Sequence, residues 1–562
     1  MRRRDTLAAL DQLTAHQVAA RAGVRLLLVP SLIRTDGRLT MAYRIENSAT
    51  GETMRARERG SEAAAHPGPL VGGLVETVER DVSAAAGVVP RLEPLPPVTT
   101  ASLDALRAYA SGVRLSNSGD DAARVMLRRA IALDSTFPAA EAMLAYLAWF
   151  DYDQRAAERH ATAALRALDG LQPAERLKTM LDAANAREDW PTAIDCAWAL
   201  IELDPTEANP WHILGQLLYF NRRFSAAVDA YDSARTRTPG SLPVTLLVNR
   251  ATVVARVGRI QEAVENYEAA FAADPALLRH PYVNHEYGAA LVRLGRVADA
   301  RVAYGARLAG SPADRAGALR SLALLEAHGG RFTRANELLG DAVTGSTAAS
   351  DTLGATIAHL LRAEVSMTRG DSARALADLA TIERYAEAKP LPYEVVTHAV
   401  KLLARAEATP RAATLLDRLE SQTTAISGTA RARLLLARGE VLLARGRVRE
   451  GRAAVEQALA LDPTTEAKES AAFAASAAND PGQAASRYDS LAAGRGIDWD
   501  GHVVIELGKY LAGRAWDRAG YPDRARPRYQ AFVADWSAAP SDSNLPAVMD
   551  ARRRLAKPGR GG

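Results

Sequence analysis

The sequence predicts a mainly α protein: an α-solenoid superhelix of paired antiparallel helices, with a small α/β domain at its N-terminus. Three observations carry this prediction. Between Asn209 and Pro312 one residue pattern recurs three times in phase, at a spacing of about 34 to 37 residues. Composition fits stacked helices, since 48% of the 562 residues are apolar and only 6% aromatic. Residues 1–89 depart from both and alternate with the period of strands. The length exceeds one globular core, so a repeat array or several domains is required.

In chain order, residues 1–89 read as a helix, three antiparallel strands and a helix. Thr6–Ala22 is amphipathic, and Arg25–Leu32 is an apolar strand. Asp36 and Gly37 supply the left-handed positions of a hairpin turn. Leu39–Asn47 then places Leu39, Met41, Tyr43 and Ile45 on one face. Thr50 and Gly51 turn into a third strand, Glu52–Glu58, and helix Leu70–Ala86 closes the domain. This is thin for an independent core. Leu26–Val29 is apolar enough for a sheet interior, so strands missing from this sequence are expected on its N-terminal side. Pro90, Pro94, Pro96 and Pro97 stiffen a linker over 90–101.

Residues 102–536 read as about twelve helix pairs. The first clear copy is Trp211, Leu214, Gly215, Leu218, Ala227, Tyr231, Ala234 and Pro239. The second is Leu247, Ala251, Val254, Gly258, Ala263, Tyr267, Ala270 and Pro275. The third is Tyr287, Gly288, Leu291, Gly295, Ala300, Tyr304 and Pro312. Small residues such as Gly215 and Ala227 let two helices approach, and the aromatic on the second helix fills the gap. The proline ends each unit because it cannot extend a helix. Degenerate units continue in both directions, the last marked by Gly513, Trp516, Gly520, Ala525 and Tyr529. Residues 537–556 suit a capping segment and 557–562 a disordered tail. The order W-x2-L-G-x2-L, A-x3-Y-x2-A, P resembles the tetratricopeptide repeat. That resemblance implies a TPR-type superhelix that binds peptides or other proteins and seldom does chemistry.

A second resemblance covers most of the chain. Val98–Tyr109, followed by Ala130–Asp134, resembles the junction that opens the repeat region of bacterial receptor-type Ser/Thr protein kinases and winged-helix transcriptional regulators. Gly23–Pro30 with Asn47–Glu52 is similar to the small α/β domain before that junction, and Tyr529–Trp536 to the C-terminal end. The departure is that no Gly-rich phosphate loop, His-Arg-Asp or Asp-Phe-Gly motif occurs. The resemblance therefore implies the sensor and scaffold half of such a signalling protein. It is either free-standing or separated from an upstream kinase or DNA-binding module. The alternatives are the regulatory part of a kinase, or the effector region of a transcriptional regulator.

Charge narrows the function classes. The formal net charge is +4, and Arg alternates with acids along helices, as at Arg433, Glu440, Arg445 and Glu450. This reads as a solvated face of mixed sign, with no specific nucleic-acid partner. Cys196 is the sole cysteine, so an intramolecular disulfide or cysteine zinc site is excluded and a small buried residue is expected. No run of about 18 apolar residues exists to span a membrane. Asp5, Asp11 and His16 interrupt a signal-like start. As written, the chain is expected in the cytoplasm, and outside it if the gene extends upstream through a membrane helix.

No nucleotide-loop, nucleophile-elbow or zincin motif occurs. His280, His285 and Glu286 are near in sequence, but an offset of five spreads the histidines around a helix. No catalytic, cofactor-binding or metal-binding residue is therefore assigned, and the chain is expected to be a non-enzymatic scaffold for a protein or peptide ligand. The N-terminal domain is expected to mediate oligomerisation or contact with a signalling module.

In tetratricopeptide arrays the first helix of each pair lines the concave groove. The resemblance places Asn209, His212, Gln216 and Tyr219 there from the first clear unit. The second gives Thr245, Asn249, Thr252 and Arg256, and the third Tyr282, His285, Glu286 and Arg293. Some family members clamp a peptide's terminal carboxylate with Lys, Asn, Asn, Lys and Arg. Only Asn249 matches that clamp, and Glu286 is expected to repel a carboxylate. Aromatics, amides and Arg together suit an extended or helical peptide.

Overall fold

The computed structural model describes Ala19, residues 24–35, 38–63, most of 77–85, and 100 and 102–117. It continues over 122–151, 153–169, 171–238, 242–422, 428–493, 501–536, 542 and 544–556. Helix Thr6–Ala22, the Asp36–Gly37 turn, the proline-rich linker and the C-terminal tail lie largely or wholly outside these residues. The chain divides into two compact units, one of residues 1–151 and 156–186, the other of 152–155 and 187–562.

In the first unit, β1 (Leu26–Thr35), β2 (Arg38–Asn47) and β3 (Thr53–Ala63) form an antiparallel sheet in that order. The first and third strands run further than their apolar stretches, because the ladder pairs Thr35 with Arg38 and Arg38 with Ala63. Asn47 Oδ1 accepts from Ala49 N at 2.9 Å, which closes the second turn, where Gly51 takes φ +73°. Tyr43 and Ile45 are buried beneath Val78, Val82 and Ala85 of the following helical segment. The Tyr43 hydroxyl donates to Asp81 at 2.8 Å, and Arg57 grips the same carboxylate.

Among the described residues β1 is an edge strand. Of its apolar residues Leu26 packs beside Tyr43 and Ile45, while Leu28 is 42% exposed. The Arg25 carbonyl accepts from Ser48 N, so with an unbroken register the odd-numbered residues bond to β2 and Pro30 points its missing N–H outward. A proline there forfeits no ladder bond and blunts the edge. Among the described residues five helices follow, Leu103–Asn117, Ala122–Leu133, Pro138–Phe150, Gln154–Arg166 (from residue 156 on) and Pro173–Ala186.

The second unit is a solenoid of the tetratricopeptide type. Among the described residues, helix Trp190–Leu203 is followed by nine pairs, from Ala208–Phe220 with Phe224–Arg237 to Gly501–Arg518 with Pro522–Trp536, and then helix Pro546–Ala556. The turn inside a pair repeats one geometry. At Gly258, with φ +86°, the chain reverses and Arg259 N bonds back to Val254 O at 2.9 Å. Arg222, Glu407 and Asn479 occupy the same turn position with φ between 56° and 60°, although each carries a side chain. Cys196 is buried, as expected of a small core residue.

Later pairs of this unit seat on earlier ones. Leu324, Phe332, Leu361 and Val365 share one apolar core with Tyr510, Phe532, Trp536 and Val548. Further along, Arg222 grips the buried Asp462 through two bonds of 3.2 Å. The superhelix thus closes on itself, where an open solenoid would meet only its neighbours in sequence.

Candidate protein-docking surface

The candidate surface is built on helices Ala208–Phe220, Val244–Arg256 and Pro281–Arg293, each backed by the second helix of its pair. Local sequence sets their spacing. A Cβ added at Gly215 would lie 2.8 Å from the Tyr231 ring, and one at Gly288 only 2.2 Å from Tyr304. In the middle pair Ala251 plays the small partner, and Tyr267 is fully buried. Burial holds the hydroxyls of Tyr231, Tyr267 and Tyr304 above the usual tyrosine range, so all three act as neutral wedges.

Asn209, Thr245 and Tyr282 are each the second residue of their helix, and all three are exposed. Tyr282 exposes 44% of its surface, while its hydroxyl lies 3.3 Å from that of half-buried Tyr219. His212, Gln216 and Asn249 are half-buried. The Asn249 amide donates to His212 Nε2 across 3.0 Å, and burial lowers the His212 pKa, keeping the ring neutral. The structure thus joins His212 to Asn249 and Tyr219 to Tyr282 across units.

The deeper positions are spent internally. Thr252, expected on the groove, is 3% exposed and meets the Tyr267 hydroxyl at 2.8 Å. Repeat phase identified its helix, but that face turns toward the partner helix. Glu286 is 6% exposed and bonded to Arg256 at 2.9 Å, so its charge answers an arginine and is not aimed at a ligand. His285 lies beside the Tyr304 ring and 3.4 Å from Ser321 Oγ. Burial, helped by Arg256, Arg307 and Arg320, pushes its pKa down to about 4. Arg293 is half-buried and borders a cleft of about 730 Å³ with Glu262, Leu294 and Ala492.

Beyond these units the inner helices carry a buried ion-pair network that sequence reasoning missed. Arg405 makes a two-pronged bond to Glu440 at 2.6 and 2.8 Å and reaches Glu469 at 3.3 Å. Lys401 sits 3.0 Å from Glu469, and Arg433 binds Glu466. Burial alone would raise the Glu469 pKa, yet Arg405 and Lys401 hold it down to about 2. Burial would lower Lys401, but Glu469 and Glu466 outweigh it and raise it. Arg433 and Glu440 are therefore not on a solvated face, as their alternation implied; Glu440 is 1% exposed. The available signal was opposite charge about one repeat apart, as in Arg405–Glu440, Arg433–Glu466 and Arg256–Glu286.

His280 caps its own helix by accepting from Val283 N at 3.4 Å. Among the described residues no helix is long and apolar enough to cross a membrane, and no cluster of three or more His, Cys, Asp or Glu is placed to hold a metal ion.

No protein-family model matches the chain, and no curated protein matches it. Solved structures of low similarity are helical-repeat proteins. A tetratricopeptide repeat protein from Parabacteroides merdae is 14% identical, with 54% of this chain and 99% of that one covered and a TM-score of 0.30. The APC/C hetero-tetramer Cut9–Hcn1 is 15% identical over 74% of this chain and 78% of that one, with a TM-score of 0.40. Yeast Tom70 is 13% identical over 75% and 98%, with a TM-score of 0.34. Likeness of this size carries no argument about function, and the fold assignment rests on the chain's own helix pairs.

Proposed function

We propose that this chain is a non-enzymatic protein-interaction scaffold, and that its docking surface is the exposed edge carrying Asn209, Thr245 and Tyr282. One observation supports the reading above others. Three consecutive first helices present a side chain at the same register to solvent, while the inner face from Lys401 to Glu469 is occupied by its own ion pairs. A ligand that binds along the array therefore has the edge of the earlier units to use. His212, Gln216 and Asn249 add hydrogen-bonding groups beside it, and Arg256, His285, Glu286 and Arg293 stand behind it as support. The chemistry suits a peptide held by a tyrosine ring and amides, with affinity concentrated in few residues.

The resemblance of Val98–Tyr109 supports a setting in bacterial signalling. The scaffold there joins a partner to a kinase or DNA-binding module.

Peptide-library display against the full chain tests the docking surface. Peptides enriched on the native chain are expected to lose about tenfold or more in affinity, ~1.4 kcal/mol, on Asn209→Ala/Thr245→Ala/Tyr282→Ala. Equal affinity for both forms, or no enrichment on either, removes the proposal.

A further inference from the structure

We propose that the C-terminal end of this chain is a clasp that locks the superhelix shut, made by Trp536, Asp542 and Pro546. The inference is independent of the docking surface and rests on the turn between helices Pro312–His328 and Phe332–Ala348.

That turn leaves polar groups at both helix ends, and residues about two hundred positions later satisfy them. Trp536 Nε1 donates to the His328 carbonyl at 3.1 Å, at the end of the first helix. Asp542 accepts from Thr333 N at 3.1 Å and from Thr333 Oγ1 at 2.9 Å, at the start of the second. The local cap position, Arg331, contributes no side-chain cap. Asp542 therefore performs the N-cap role from 209 residues away.

The backbone is shaped for this contact. Gly330 adopts φ +73°, and a Cβ there would come within 3.1 Å of Trp536, so the turn needs glycine for both conformation and room. The Trp536 ring packs edge-on against Phe332, centroids 4.9 Å apart. At the next turn Pro546 lies 3.3 Å from where a Cβ on Gly370 would sit.

In an array stabilised mainly by neighbouring repeats, such a seam is separable from the pairs it joins. Releasing it lets the array open at the core shared across the seam, while pairs away from that core keep their own packing.

The test is hydrogen exchange and small-angle scattering on the full chain carrying Asp542→Ala, Trp536→Ala or Asp542→Asn. Asp542→Ala and Trp536→Ala are expected to speed exchange at Thr333 by about tenfold or more and to enlarge the radius of gyration. Helices Ala208–Phe220 and Val244–Arg256 should keep their protection. Asp542→Asn, which preserves the acceptor, should behave like the native chain. Faster exchange confined to the first turn of Phe332–Ala348 with unchanged dimensions would reduce Asp542 to a local cap and overturn the clasp. Loss of protection throughout the chain, or no change in either measurement, would overturn it equally.

Discussion

Gly288→Ala should destabilise this protein although it replaces a poor helix former with the best one. In an unconstrained helix interior the change is worth about 0.5–1 kcal/mol in favour of Ala. Here the new Cβ would stand 2.2 Å from Tyr304 Cε1 and 2.4 Å from Cζ, against an ordinary carbon contact of about 3.5 Å or more. The ring cannot swing aside, since Tyr304 is 2% exposed and its hydroxyl reaches the His285 carbonyl at 3.5 Å. The helices must separate by roughly 1 Å or the ring must leave its rotamer, and such overpacking costs about 1–3 kcal/mol. The expected net loss is about 1–2 kcal/mol. Gly340→Ala is the control, because its nearest neighbour would be Arg362 Nη1 at 3.6 Å; it should gain about 0.5–1 kcal/mol. Urea midpoints by circular dichroism give the sign, and hydrogen exchange over 281–305 gives the location. Equal shifts for the two variants, or a gain from Gly288→Ala, would refute the argument from close helix approach.

Glu407→Gly should stabilise by about 1 kcal/mol, because an exposed side chain is held at φ +60° where only glycine is unstrained; the urea midpoint reports it. Glu440→Gln removes the two-pronged carboxylate from the buried Arg405, leaving Glu469 as its carboxylate partner, and should cost about 2 kcal/mol, read from the same midpoint. Stability should also fall on acidification. His398 is pushed down to about 4 by burial, below its usual value of about 6.5, so the folded state binds fewer protons and stability drops as pH falls from about 6.5 toward 4. Glu469, held near 2, extends the loss from the usual glutamate range of about 4.3 downward. Midpoints between about pH 8 and 2 should show both parts, and His398→Gln should flatten the part above about 4.3.

What the sequence made legible follows from the range of the forces involved. Gly258 and Gly295 recur in the repeat pattern, and both sit at a tight reversal that needs positive φ. Gly215 and Tyr231 were readable as a small–large pair because packing within a repeat is nearly local. Depth was not readable. Phase put Thr252 and Glu286 on an inward helix, but whether that face meets water or another side chain depends on residues a repeat or more away. The alternation of Arg433 and Glu440 looked solvated because each charge finds its partner on a different helix. Trp536 and Asp542 lay beyond reach altogether, since their partners are more than two hundred residues upstream and outside the repeating pattern.

An open solenoid can gain or lose a unit in evolution without penalty, each copy resting on the one before. The seam between Thr333 and Asp542 removes that freedom. Inserting or deleting one helix pair between them would carry the aspartate past its amide by a full repeat spacing, so the number of pairs within that span is fixed.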